Sequence, residues 1–351
     1  MTASQSWSVL LEQLLQGDDL RGEQATALMR GWLEQRIDPV LTGALLAALR
    51  SKGVSGEELA AMASELRAAC TLPAGRPDLP LVDTCGTGGD GADSFNISTA
   101  VAFTAAACGA CVAKHGNRSA SGRVGSADVL EALGIQLQAP PERVLAALPE
   151  AGVTFLFAPG WHPALVGLAP LRRALGVRTV FNLLGHLVNP LRPEAQVLGV
   201  ARRDLLDPMA EALSRLGLER AVVVHGHGGL DEASLSGASE LRLVEAGTVS
   251  SASLDPAALG LVLAPPEALA GGEVATNVGI LEGVLRGGGT AAQRDVVALN
   301  AALVLWAAGL EPTIAAALPR AGEALASGAA WRKLEALRTA LALPAAAAGG
   351  G

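Results

Sequence analysis

From Leu81 onward the chain alternates short apolar runs with longer stretches of helical period, and this alternation limits the fold more than any other feature. The runs LVDTC (81–85), CVAKH (111–115), VTFLFA (153–158) and AVVVHG (221–226) have the length and composition of buried strands. A chain built this way forms a mostly parallel sheet with helices on both faces. We therefore expect an α/β fold whose ligand lies at the carboxyl ends of the strands.

The first seventy residues follow a different pattern, which predicts four short helices. Three stripes of apolar residues recur at i, i+3, i+4 and i+7. They run from Trp7 to Leu15, from Ala25 to Leu33 and from Leu41 to Leu49. A fourth helix is indicated by Ser55, with Glu58 three residues later in the spacing of a capping box.

A segment rich in proline, Thr71 to Pro80, separates these helices from the strand pattern. We therefore predict a small helical domain at residues 1–72 and a larger α/β domain at residues 81–344, followed by a flexible tail at residues 345–351. Residues 163–193 have helical period and several prolines. We predict that their helices leave the sheet and join the small helical domain.

Composition excludes several classes of protein. Hydrophobic residues make up 50% of the chain and charged residues 17%, which excludes intrinsic disorder. A net charge of −8 and an aromatic content of 3% argue against a nucleic-acid binder, which needs a basic face or stacking platforms. The first residues lack the pattern of a signal peptide, and the longest uncharged stretch is too short for a membrane helix. We expect a cytoplasmic protein with reduced cysteines and no affinity for nucleic acid or membrane.

A glycine-rich loop follows the first predicted strand. The sequence GTGGDG (86–91) is followed by Asn96, Ser98 and Thr99, which open a long apolar helix pattern. Glycines let the backbone bring its N–H groups against an anion, and a helix start adds unpaired donors. The loop therefore suits a phosphate, although a tight turn alone explains it as well. It is neither a P-loop nor a dinucleotide-binding fingerprint.

Two further loops carry charged side chains after predicted strands. The second strand ends in KHGNR (114–118), with Arg123 close behind, and Lys114 is one of three lysines among 26 basic residues. The third loop, HGHGGLDEAS, carries the adjacent acids Asp231 and Glu232. If these acids lie beside a phosphate site, Mg²⁺ is their natural ligand; otherwise both clusters are solvated surface charge. No serine, cysteine or threonine nucleophile is evident, so the implied chemistry is electrostatic.

Four motifs, in this order and spacing, resemble the anthranilate phosphoribosyltransferases of tryptophan biosynthesis. They are GTGGDGADSFNIST, KHGNRSASGRVGSADVLEALG, RRALGVRTVFNLLGHLVNP and GLDEAS. The resemblance implies the fold of the nucleoside phosphorylases and these transferases, a small helical domain beside a larger α/β domain. It also implies transfer of the phosphoribosyl group of 5-phosphoribosyl 1-diphosphate to anthranilate, with Mg²⁺, in a homodimer formed through the helical domain. The alternatives are a paralogue without catalysis or with another acceptor, and an enzyme like the pyrimidine nucleoside phosphorylases.

The resemblance also implies roles for individual residues. Those implied in catalysis are Lys114, Asp231 and Glu232, and the metal ligands would be Ser98, Asp231 and Glu232. The sugar diphosphate would contact Gly86, Gly88, Gly89, Asp90, Ser94, Asn96, Ser98, Thr99 and Lys114. Anthranilate would contact Gly86, His115, Asn117, His162, Arg172 and His186.

The chain departs from the family at His186, where the family usually has proline beside the acceptor site. A polar, titratable imidazole then replaces a ring that packs against an aromatic substrate. We therefore expect His186 to affect the affinity for anthranilate more than the fold or the binding of the diphosphate.

Overall fold

The computed structural model describes residues 6–70, 72, 75–118 and 124–343. The predicted tail at 345–351 and the basic residue Arg123 lie outside the described residues.

Four helices precede the first strand, as the apolar stripes predict. They are α1 (Trp7–Leu15), α2 (Gly22–Leu33), α3 (Pro39–Lys52) and α4 (Gly56–Ala68). The predicted capping box is confirmed: the Glu58 backbone N–H donates to Ser55 Oγ, and the Ser55 N–H donates to the Glu58 carboxylate. The first helix turn of α4 therefore has its free donors satisfied locally.

The rest of the chain builds a seven-stranded sheet. Its strands are β1 (Leu81–Gly86), β2 (Cys111–Gly116), β3 (Val153–Phe157), β4 (Ala195–Gly199), β5 (Arg220–His225), β6 (Ser239–Glu245) and β7 (Thr248–Leu254). The order across the sheet is β3-β2-β1-β4-β5-β6-β7. The first five in this order are parallel, and β6 and β7 add an antiparallel hairpin at one edge. The predicted mostly parallel sheet is confirmed, whereas β4, β6 and β7 are not in the sequence prediction.

Helices cover the sheet and extend away from it. They are α5 (Ile97–Ala107), α6 (Ser126–Ala132), α7 (Pro141–Ala151), α8 (Ala158–Trp161), α9 (Ala169–Leu175), α10 (Phe181–Leu184), α11 (Leu206–Arg215), α12 (Val274–Leu285), α13 (Ala291–Ala307), α14 (Ile314–Ala326) and α15 (Ala329–Leu341). Among the described residues, none of the helices combines the length and the apolar character needed to span a membrane.

Two hydrophobic cores hold these elements. The larger core lies between the sheet and helices that include α5, α7 and α12 to α15. The second core joins α1 to α4 with α11 and with side chains between Leu168 and Val188. The segment around α9 and α10 therefore packs on the N-terminal helices and brings its polar side chains to the carboxyl edge of the sheet.

Candidate active site

The loops after β1 and β5 meet at the carboxyl edge of the sheet. The Gly88 N–H, in the loop after β1, donates to Asp231 Oδ2 at 2.6 Å. The approach leaves no room for side chains, since a Cβ on Gly86 would overlap the Asp231 carboxylate and one on Gly199 would overlap its backbone. The glycine that ends β1 and the one that ends β4 therefore let the acidic loop cross the strand ends.

Three carboxylates cluster at this crossing. Asp90, Asp231 and Glu232 each bring a carboxylate oxygen within 4.8 Å of the others. Asp90 is predicted to line the diphosphate loop, but the sequence gives no sign that it joins the acid pair. Of the residues that the structure describes, none bonds to Asp90 Oδ2 or to Glu232 Oε2, although both atoms are buried.

Burial makes these acids hard to ionise together. It raises the pKa of the Asp231 carboxyl to about 6, with a further contribution from the charge of Asp90. Burial, followed by the charge of Asp231, raises the pKa of Glu232 well above its ordinary value. Like charges this close oppose one another's ionisation, and a bound cation would relieve the conflict.

The residues at the crossing fit Mg²⁺. The donor atoms are hard oxygens, which Mg²⁺ prefers, and two of the carboxylate oxygens have no other partner in the described chain. Ser98, Asp231 and Glu232, the three predicted ligands, line one cavity of about 10 Å³. The same cavity is also lined by Val101, Val197 and Val224, so the fit to Mg²⁺ rests on the carboxylate oxygens and not on the cavity.

Lys114 lies beside this cavity on β2 and is buried. Its Nζ donates to the Thr84 carbonyl at 2.7 Å and to Ser98 Oγ at 3.2 Å. An ammonium group has three donors, so one is left for a ligand. Burial lowers the pKa of Lys114, while nearby acids including Glu232 and Asp231 oppose that shift. Lys114, one of only three lysines in the chain, thus donates a hydrogen bond to Ser98, which is a predicted metal ligand.

A buried carboxylate that the sequence did not indicate separates β1 from β2. The two strands pair only at Leu81 with Cys111 and at Val82 with Val112. Beyond that point Asp83 fills the gap: its Oδ1 accepts from the Thr84 N–H at 2.7 Å and from the His115 N–H at 3.1 Å. Its Oδ2 accepts from Asn189 Nδ2 at 2.9 Å, and the same Nδ2 donates to the Ala113 carbonyl.

We expect Asp83→Ala to lower the free energy of unfolding by about 3 kcal/mol or more, because three buried donors lose their acceptor at about 1–3 kcal/mol each. Urea unfolding measures this loss. The control is Asp78→Ala, at an exposed position before β1, which we expect to change stability by less than about 0.5 kcal/mol. Equal stabilities for the two variants would contradict the role given to Asp83.

Two of the predicted acceptor-site histidines lie together. The rings of His115 and His162 are 5.2 Å apart at 70°. The backbone at Gly185 raises the pKa of His115, and the backbone at Val188 raises that of His162, against the larger effect of burial, which lowers both. Within the described chain neither buried Nε2 atom has a partner. Two imidazoles therefore lie side by side, each with one ring nitrogen available for a ligand.

Burial, helped by nearby positive charges, keeps His186 neutral. Burial, followed by the charges of Arg178 and Lys114, lowers the pKa of His186 to about 4, and the Asn182 backbone opposes the shift. Burial also lowers the pKa of His115 to about 3, with the charges of His162 and His186 adding to the shift. At neutral pH these rings are uncharged, so they serve as hydrogen-bonding groups and not as cations.

His186 makes the stability of the protein depend on pH. Its folded pKa lies below the ordinary value of 6.5, so protonation favours the unfolded chain as pH falls from 6.5 towards 4. We expect the drop in melting temperature between pH 7.5 and pH 5 to be smaller in His186→Ala than in the wild type. His227→Ala, at an exposed histidine, is the control and keeps the wild-type drop. A wild-type drop in His186→Ala would contradict this.

Other predicted residues lie farther from the acid cluster or have other partners. Arg172 stacks its guanidinium over the Phe181 ring at 5.5 Å, and burial lowers its pKa. The exposed Asn117 accepts from the Arg118 N–H, and the Arg118 guanidinium pairs with Asp128 and Glu131 on α6. Arg118 is therefore engaged by the acids of α6.

The start of α5 is held by contacts outside the cluster. Asn96 donates to the Val124 carbonyl and accepts from Asn277 Nδ2. The Ser94 backbone pairs with Ala270. The Thr99 hydroxyl is buried, and no described residue bonds to it.

The histidines of the third loop do not act as a pair. His225 Nδ1 contacts the Val200 carbonyl at 2.8 Å, and His227 Nδ1 contacts Ser236 Oγ at 3.1 Å. Neither joins the acid cluster.

Comparisons with known proteins cover nearly the whole chain. The model "Glycosyl transferase family, a/b domain" matches residues 78–331, and "Glycosyl transferase family, helical bundle domain" matches residues 8–70. The protein named anthranilate phosphoribosyltransferase from Prochlorococcus marinus (strain MIT 9313) is 68% identical over 97% of this chain and 97% of its own. The protein of that name from Parasynechococcus marenigrum (strain WH8102) is also 68% identical, again over 97% of each chain.

Solved structures agree. The crystal structure of anthranilate phosphoribosyltransferase from Thermus thermophilus superposes with a TM-score of 0.87 at 46% identity, covering 94% of this chain and 98% of its own. The structure of the Saccharomyces cerevisiae enzyme in complex with PRPP and Mg superposes with a TM-score of 0.85 at 26% identity, covering 95% and 97%.

Proposed function

This chain belongs to the anthranilate phosphoribosyltransferase family, and from that premise we propose that the loops at the carboxyl edge of its sheet form the active site. The protein transfers the phosphoribosyl group of 5-phosphoribosyl 1-diphosphate to anthranilate. The products are N-(5-phosphoribosyl)anthranilate and diphosphate, in tryptophan biosynthesis. The observation that carries the site proposal is the contact between Gly88 and Asp231, which joins the anion loop to the acid cluster.

On the diphosphate side, the backbone amides of Gly86 and Gly89 and the free donor of Lys114 would bind the phosphates, and Gly88, whose N–H donates to Asp231, would line the same loop. Asp231, Glu232 and Ser98 would hold Mg²⁺, with Asp90 as an additional carboxylate. When bound, Mg²⁺ neutralises charge on the departing diphosphate. Ser94, Asn96 and Thr99, at the start of α5, would complete the contacts with the sugar diphosphate.

On the acceptor side, Arg172 would bind the anthranilate carboxylate, since a guanidinium fork suits that group. The free Nε2 atoms of His115 and His162 are acceptors for the amine N–H. With a pKa of about 3, His115 is too weak a base to deprotonate the amine fully and instead orients it. Gly86, Asn117 and His186 are proposed to border the same pocket.

The reaction then needs position more than base catalysis. A bond forms between the anthranilate nitrogen and the anomeric carbon as the bond from that carbon to the diphosphate breaks. The nitrogen, now positively charged and acidic, then releases one proton to the departing diphosphate or to water. An aromatic amine is already nucleophilic, so holding the two reactants in line supplies much of the rate. Cations around the leaving group stabilise its developing charge.

The test is the loss of anthranilate fluorescence on incubation with 5-phosphoribosyl 1-diphosphate and Mg²⁺. We expect consumption that requires all three components. Folded protein that consumes no anthranilate at any substrate concentration would overturn the proposed function.

We also propose a cytoplasmic homodimer formed through the helical domain. Large apolar side chains on its surface support the dimer: Val40 on α3 is 82% exposed and Leu15 on α1 is 65% exposed. A second copy packed against this helical layer would cover these side chains.

We expect Leu15→Asp with Val40→Asp to convert the dimer into monomer in light scattering, because buried carboxylates oppose association. The control is Val262→Asp, which alters an equally apolar, 75% exposed side chain outside the helical domain. A monomeric wild type, or a double variant that remains dimeric, would contradict the proposed interface.

A further inference from the structure

An arginine that has no part in the proposed mechanism donates two hydrogen bonds to the glycine-rich loop. Arg178 lies between α9 and α10. Its Nη2 donates to the Thr87 carbonyl at 2.7 Å, and its Nη1 donates to the Gly88 carbonyl at 3.1 Å. One guanidinium fork thus binds two consecutive carbonyls of the loop. A planar fork suits this arrangement in a way that a lysine ammonium does not.

These two hydrogen bonds fix the direction in which the loop N–H groups point. A trans peptide is planar, and its N–H points away from its C=O; none of the described peptide bonds is cis. With the Thr87 and Gly88 carbonyls turned towards Arg178, the N–H groups of Gly88 and Gly89 point to the opposite side. The Gly88 N–H indeed donates to Asp231 there. The loop is therefore held between Arg178 on one face and the acid cluster on the other.

The loop cannot hold this conformation by itself. Gly88 and Gly89 have φ of 65° and 76°, in the left-handed region that glycine enters freely but also leaves freely. A Cβ on Gly89 would overlap Arg178 Nη1, so the guanidinium packs directly on the backbone. Two hydrogen bonds from a charged group, together with the bond from the Gly88 N–H to Asp231, favour one conformation among those open to the glycines.

We propose that Arg178 is a positioning residue: it holds the loop carbonyls on one side, so that the Gly88 N–H stays on Asp231 and the Gly89 N–H faces the diphosphate beside the acid cluster. Arg178 acts through the loop and does not touch the substrate. The proposal rests on the proposed function for its kinetic consequence, but its structural consequence stands apart from any activity.

The first test is hydrogen–deuterium exchange of the full-length protein without substrate. We expect Arg178→Ala to exchange amides of the 86–93 loop about tenfold faster than the wild type, because the loop loses its brace. Arg173→Ala, at an exposed arginine on α9, is the matched control and keeps the wild-type rate. Unchanged exchange in Arg178→Ala overturns the proposal, whether or not the protein is a transferase.

The second test is steady-state kinetics. We expect Arg178→Ala to raise the KM for 5-phosphoribosyl 1-diphosphate about 10- to 100-fold, with the KM for anthranilate changed less than about threefold. Arg178→Lys restores only part of the loss, since a point charge cannot bridge both carbonyls. If Arg178→Ala does not fold, as judged by its melting curve, Arg178→Gln takes its place.

The outcomes separate the two claims. If the wild type is inactive but Arg178→Ala still speeds hydrogen exchange in the 86–93 loop, the proposed function is refuted and the structural role of Arg178 is supported. An active wild type whose Arg178 variants keep a normal KM for the sugar diphosphate, or raise both KM values equally, overturns the positioning role.

Discussion

We expect Lys114→Met to lower kcat/KM for 5-phosphoribosyl 1-diphosphate by about 100-fold or more. The variant loses a charge-assisted bond to the phosphates, worth about 1.5–3 kcal/mol, and also the bond that orients Ser98. The assay is anthranilate fluorescence at varied concentrations of the sugar diphosphate. An unchanged KM for that substrate would remove Lys114 from the site.

We expect the fold to survive this change with a lower melting temperature. Methionine has a similar length and avoids the burial of a charge, but it loses the bonds to Thr84 and Ser98 and leaves nearby buried acids such as Asp83 without their cation. We therefore expect a single cooperative melting transition at a lower temperature than that of the wild type. Lys333→Met, on α15, is the matched control and keeps full activity. A loss of activity in both variants would point to a general effect of removing lysine.

We expect Asp231→Asn combined with Glu232→Gln to abolish activity while raising the melting temperature of the ligand-free protein. Burial raises the pKa of both acids, so stability that is present at low pH is lost as pH rises through the folded pKa, about 6 for Asp231. At pH 7.5 the wild type carries this penalty and the neutral amides do not. The amide oxygen introduced at position 231 would still accept from the Gly88 N–H.

The measurement pairs melting curves, with and without Mg²⁺ and the sugar diphosphate, with the activity assay. We expect these ligands to stabilise the wild type and to leave the double variant unshifted, because ligand binding stabilises only a fold that binds it. Glu142→Gln with Glu150→Gln removes two exposed acids of α7 and is the control for charge. Full activity in the site variant would show that the two acids have no role in the reaction.

The sequence revealed four of the strands that are buried on both faces. β4 is equally buried, but it is short and carries Gln196, so its sequence AQVLG has no long apolar run. Continuous apolar runs predict β1, β2, β3 and β5, since a parallel sheet covered by helices leaves no polar face. The hairpin of β6 and β7 has polar side chains along an exposed face, so it has no such run. Its turn, Ala246 and Gly247, has both residues at positive φ, as a two-residue hairpin turn requires.

The same limit applies to the site. Lys114, Asp231 and Glu232 lie at or near the ends of predicted strands. Because the carboxyl ends of parallel strands share an edge of the sheet, the sequence predicts that these three residues lie close together. The sequence analysis did not identify Asp83 and Arg178, because the roles of these residues depend on partners that are distant in sequence. Arg178 is 91 residues from Thr87, and no local pattern indicates such a contact.

The most direct test of the central claim is a crystal structure of the protein with Mg²⁺ and 5-phosphoribosyl 1-diphosphate. We expect the diphosphate on the amide of Gly89, with Lys114 Nζ within hydrogen-bonding distance of a phosphate oxygen. We also expect Mg²⁺ held at Asp231 and Glu232. A sugar diphosphate bound away from the acid cluster, or bound with no contact to the glycine-rich loop, would contradict the proposed site.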